Sequence, residues 1–123
     1  GPDGPVADPD ANPQVNLGTG TMDRHRWGSV VDAFTDSLRS FDFPGGPLDV
    51  RENVKFRGGN WPRWIHENFP TTGVAIAIEF KKFFMDEWSG EPNEAMVEAI
   101  GDALQSTVPA VLGSLKSIPS QSL

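Results

Sequence analysis

Apolar positions recur along this chain in three rhythms. Trp27, Val30, Val31, Phe34, Leu38 and Phe41 stand three or four residues apart. That spacing puts them on one face of a helix. Thr21 and Asp23 offer side-chain oxygens to cap it, and it is expected to run to about Ser40. Between residues 48 and 56 the rhythm becomes two. Leu48, Val50, Val54 and Phe56 share one parity; Asp49, Arg51, Asn53 and Lys55 share the other, and Glu52 alone breaks the apolar face. This predicts a half-buried strand with a bend near Glu52 or Asn53. The third rhythm is an unbroken run, Val74 to Ile78, entered from Gly73. Such a run reads as a strand buried on both faces, and it is the expected centre of the fold.

The remaining elements are shorter. Asn60 can cap a helix with Pro62 in its first turn, turning Trp61, Trp64, Ile65 and Phe69 inward until Pro70 and Gly73 stop it. Phe83, Phe84, Met85 and Trp88 form an apolar turn that holds Asp86 and Glu87. Glu91-Pro92-Asn93-Glu94 opens a last helix striped by Met96, Val97, Ile100 and Leu104. Pro109 lacks an amide hydrogen, so a kink or a second helix start is expected there, before Val111, Leu112, Leu115 and Ile118. The segment VNLGTG, residues 15–20, reads either as a functional loop or as an ordinary connector.

Helices alternating with strands predict an α/β domain over residues 17–118, with a loop-like lead-in over 1–16 and a frayed tail over 119–123. Two clear strands are few for an open sheet, and the chain starts abruptly on GPDGP. A piece of a larger domain is therefore expected.

Composition narrows the functional classes. A net charge of −7 and no basic face with interleaved aromatics argue against nucleic acid. Cysteine is absent, which excludes disulfides and thiolate chemistry. No apolar run approaches the roughly 18 residues a membrane span needs.

Chemistry gathers at few positions. Glu79 closes the apolar run and precedes Phe80, Lys81 and Lys82. Ligands of open α/β sheets bind beyond the carboxyl ends of strands, so Glu79 is either a cleft carboxylate or the partner of a neighbouring lysine. Arg57, before Gly58-Gly59, can fork a substrate carboxylate or sit in a surface ion pair, and Arg51 is a second candidate for the same task. Alternation along an extended backbone lets only one of Lys81 and Lys82 face the site. His25 and His66 have no ligand partner at helical spacing and are read as packed or exposed side chains.

Taken together, VNLGTGTMDRHRW, LDVRENVKFRGGNWPRWIHENFP and GVAIAIEFKKFFMDEWSGEP resemble the C-terminal half of the N-formylglutamate amidohydrolase family, over roughly residues 14–92. The resemblance implies a mixed sheet flanked by helices, like that of zinc-dependent carboxypeptidases and related exopeptidases. It implies a cytoplasmic hydrolase of histidine breakdown that releases formate from a small N-acyl amino acid. It also implies a zinc held by two histidines and a carboxylate. In the family pattern Glu79 is the general base, and Arg57 and Gly58 belong to a glycine-bearing loop. The ligands, however, have no matching context in this chain and are expected upstream of residue 1 or on a second chain. The isolated chain is then expected to be inactive. The alternatives are a degenerate relative or a non-catalytic acidic module with an aromatic surface.

Overall fold

The computed structural model describes residues 12–85 and 88–119. Residues 1–11, most of the expected lead-in, lie outside it, as do Asp86 and Glu87 and residues 120–123 of the expected tail. The fold is mixed α/β, with one three-stranded sheet. The elements are β1 (Val15–Gly18), α1 (Arg24–Ser40), β2 (Val50–Glu52), α2 (Asn60–Asn68), β3 (Ala77–Phe80), a short 3₁₀ turn (Lys82–Phe84), α3 (Glu94–Ser106) and α4 (Val108–Ser117).

The chain divides into two compact units. The first comprises the residues up to His25 together with Asp49–Lys81, and so contains the sheet and α2. Its strand order is β2-β1-β3. β1 runs parallel to β2, pairing Val15 with Val50, and antiparallel to β3, pairing Val15 with Phe80 and Gly18 with Ala77.

The expected centre is thus displaced. The apolar run Val74–Ile78 supplies an edge strand that starts only at Ala77, and Ile78 is exposed. The segment read as a loop or connector, VNLG, is the central strand, and all four of its residues are buried. Hydrophobicity along the run was a poor guide because position in a sheet is decided by partners, not by composition. β2 is shorter than expected: it ends at Glu52, and Asn53 turns the chain at φ 55, in the left-handed region that asparagine tolerates.

The second unit comprises Arg26–Leu48 and the residues from Lys82 onward. α1 starts where its cap residue stands, with the Asp23 carboxylate accepting the His25 N–H at 3.0 Å, and buries Trp27, Val30, Val31 and Leu38. Phe83 packs edge-to-face on Phe43. Asn93 caps α3 by accepting the Met96 N–H at 3.1 Å. Its buried positions are Ala99 and Ala103, while Met96, Ile100 and Leu104 are half-buried and Val97 is exposed. Pro109 lies in the first turn of α4, so it starts a helix and kinks none.

In α2 the expected inward face is reversed. Trp61, Trp64 and Phe69 are exposed, and the buried residues are Pro62 and His66. Among the described residues, no helix is long and apolar enough to cross a membrane.

Candidate functional site

The pleat of β1 sorts the site into two faces. Side chains alternate along a strand, and directly paired residues share a face. Asn16 and Gly18 therefore share one face with Arg51 and Glu79, which are both paired to Asn16. Leu17 and Thr19 share the other with Glu52.

Asn16 organises the first face. Its Oδ1 accepts the Val54 N–H at 2.8 Å and the Lys55 N–H at 3.1 Å, and its Nδ2 donates to the Phe56 carbonyl at 3.1 Å. One buried amide thereby folds the chain after β2 back over the strand. The glycines of VNLGTG let that chain come close. A Cβ on Gly18 would stand 2.5 Å from the Gly58 nitrogen. A Cβ on Gly20 would stand 2.8 Å from the Arg57 Cβ and 2.9 Å from its Nε. The Gly20 N–H donates to the Arg57 carbonyl at 2.8 Å. Gly58 at φ 129 and Gly59 at φ 79 then steer the chain into α2. Arg57 is held across Gly20 at the carboxyl end of β1, and its side chain has no carboxylate partner among the described residues.

Glu79 is on the same face but further along. Because β3 is antiparallel, its carboxyl end points toward the amino end of β1. The expectation that Glu79 stands where parallel strands emerge is corrected by that direction. The side chain is exposed, and among the described residues it forms no ion pair with Lys81 or Lys82. Lys81 lies two residues on and shares its face; the Lys81 N–H donates to the Gln14 carbonyl at 2.9 Å, so the ladder extends one residue past β3. Arg51 is on this face too, but its fork is spent on Asp49, with Nε–Oδ1 at 2.9 Å and Nη2–Oδ2 at 3.1 Å. Glu79, Lys81, Arg57 and Gly58 thus lie on one side of the sheet but spread along it, Arg57 over Gly20 at the carboxyl end of β1 and Lys81 beside Gln14 before its amino end, while Arg51 is occupied locally.

The carboxyl ends of β1 and β2 carry a cluster that the sequence reading passed over. Thr19 Oγ1 donates to Glu52 Oε1 at 2.6 Å and accepts from Asn53 Nδ2 at 3.0 Å, while the Thr19 N–H donates to Asn53 Oδ1 at 2.9 Å. Arg24 Nη2 reaches Glu52 Oε2 at 3.2 Å. The one polar residue on the apolar face of the β2 segment was the available signal: Glu52 is there to meet Thr19.

His66 ties the next layer. It is only 8% exposed. Its Nε2 accepts the Ala75 N–H at 3.1 Å, and its Nδ1 lies 2.8 Å from Thr21 Oγ1. A peptide N–H can only donate, so Nε2 is unprotonated and Nδ1–H donates to the threonine. Burial holds the His66 pKa below its ordinary value. The unfolded chain therefore takes up the proton first as pH falls. The stability contributed by neutral His66 is complete above about pH 6.5 and is lost as pH drops from there through the lower native pKa. The melting temperature is expected to fall between about pH 7 and pH 5, and that slope is expected to flatten in His66→Gln. An equal slope in the variant would show that other groups carry it.

Both His66 nitrogens are occupied, and among the described residues no three His, Cys, Asp or Glu side chains form a group that could hold a metal ion. These residues do not fit a zinc site. No protein family, curated protein or solved structure matches this chain.

Proposed function

We propose that this chain supplies part of a metal-dependent amidohydrolase acting on a small N-acyl amino acid, with N-formylglutamate as the leading substrate. One observation carries the reading. The three segments that resemble the N-formylglutamate amidohydrolase family, distant in sequence, meet in one compact unit: VNLG as β1, FRGG as the loop pressed on its glycines, and AIEF as β3 beside it. On that reading the three strands belong to a larger zinc-exopeptidase-like sheet. The protein works in the cytoplasm, in histidine breakdown.

The roles follow from chemistry. Glu79 has a carboxylate without an ion-pair partner among the described residues, and it takes and returns the proton that amide hydrolysis moves from water to the leaving amine. Arg57 forks the substrate carboxylate, a geometry that a lysine cannot reproduce. Gly58 lets the substrate approach the backbone, and Lys81 adds positive charge on the same face. The zinc ligands are assigned to polypeptide beyond this chain or to a second chain, and no step is derived through the metal.

The test is formate release from N-formylglutamate by the full polypeptide that carries this sequence, supplied with zinc. Glu79→Gln is expected to lower turnover by about 100-fold with the fold intact. Turnover close to that of the parent would remove Glu79 from the mechanism.

A second reading rests on a different observation. Trp61 is 70% exposed and stacks on Trp64 at 5.4 Å, and Trp64 meets Phe69 edge-on at 5.8 Å. Such an aromatic patch fits a non-catalytic module that binds a partner protein. Zinc-dependent formate release by the full polypeptide, lost in Glu79→Gln, would contradict it.

A further inference from the structure

The outer edge of β3 carries information in both its backbone and its charges. Lys81 donates its N–H to Gln14, which fixes the phase of the antiparallel ladder. Glu79 and Ala77 then turn their backbone groups toward β1, while Ile78 and Phe80 turn theirs away, since adjacent residues of a strand alternate. No other described strand pairs with that edge. Ile78 is 37% exposed beside it, and Glu79 and Lys81 are exposed as well. An open edge of this kind is a template for another strand.

The charges select the occupant and the register. Pair the edge with a second copy of itself, antiparallel about a two-fold axis. Centred on Glu79, the two carboxylates face each other, which is unfavourable. Centred on Ile78, Glu79 meets Ala77 and Lys81 meets Ala75, so no charge finds its complement. Centred on Phe80, Glu79 of each copy faces Lys81 of the other, and the two Phe80 residues exchange backbone hydrogen bonds. We infer that β3 self-pairs about Phe80 over residues 79–81, the extended stretch that ends at the Lys82–Phe84 turn, joining two copies of this chain by the reciprocal Phe80 backbone bonds and two Glu79–Lys81 pairs. This goes beyond the hydrolase reading. It occupies the carboxylate which that reading needs free, so under it the paired form is silent.

Sedimentation equilibrium on the chain at submillimolar concentration tests the inference without reference to turnover. A concentration-dependent dimer is expected. Lys81→Glu turns two attractive cross-strand pairs repulsive and is expected to weaken association by about tenfold. The exchange Glu79→Lys with Lys81→Glu is expected to restore it, with circular dichroism unchanged throughout. A chain that stays monomeric overturns the proposal and leaves the edge to a further strand of a larger sheet. A dimer indifferent to Lys81→Glu, or one not rescued by the exchange, overturns the register.

Discussion

Gly18→Ala is expected to cost the sheet unit more than about 3 kcal/mol, a large fraction of the roughly 5–15 kcal/mol that holds an ordinary domain together. The added methyl would stand 2.5 Å from the Gly58 nitrogen and 2.6 Å from its Cα. Both are backbone atoms, so no side chain can rotate away. Gly58 cannot yield easily either, since it is itself buried. Relief requires the Arg57–Gly58 loop to lift off β1. That lift breaks the Gly20 N–H bond to the Arg57 carbonyl and displaces Arg57. Under the hydrolase reading, the same change removes the carboxylate clamp. Urea unfolding reads the result directly. A midpoint within a few tenths of the parent's would mean that the close approach of strand and loop is wrong. Gly46→Ala is a useful contrast. Gly46 has open space around it at φ 125, so only backbone strain is at stake there, expected at about 1 kcal/mol.

Asn16→Ala is the second large effect, expected at about 3 kcal/mol. The side chain is 2% exposed and satisfies two peptide N–H groups and one carbonyl of residues 54–56. Removing one partner of a buried hydrogen bond costs about 1–3 kcal/mol for each group left unsatisfied. Val54 and Lys55 are less buried than Asn16, and water recovers part of that loss, which keeps the sum well below the upper limit. Hydrogen exchange gives a specific signature. The amides of Val54 and Lys55 are expected to lose protection, while the Met96 amide of α3, capped by Asn93 in the other unit, keeps its own. Uniform loss of protection across the chain would assign Asn16 to global stability and not to the loop.

These two effects bear on how far the chain could be read from its letters. Where structure is set within a few residues, the reading held except at Asn60, which lies inside α2 while Gly59 takes the N-cap position with no side-chain bond. Asp23 caps α1, Asn53 bends the chain after β2, and Pro109 sits in the first turn of α4. Each depends on one side chain and the backbone beside it. The reading failed wherever a partner distant in sequence decides the outcome. Gly18 and Gly20 made VNLGTG look like a connector, because glycine weakens a strand considered alone. They are present because Arg57 and Gly58, about forty residues later, lie against them. His66 was set aside for want of ligand partners, yet it is buried because Thr21 and Ala75 satisfy both its nitrogens. The tryptophans of α2 were turned inward by hydrophobicity, and they face outward because Pro62 and His66 take the buried side.

By itself, then, the sequence determined an acidic, cysteine-free α/β chain, the approximate spans of its longer helices and the cap of α1. Periodicity and capping are local physics and need nothing beyond neighbouring residues. Only the tertiary structure decided which strand is central, that β3 runs antiparallel along an open edge, and that Arg57 and Glu79 share a face while Arg51 is bound to Asp49. Those are choices among pairings, and a strand's own residues do not contain the strand beside it.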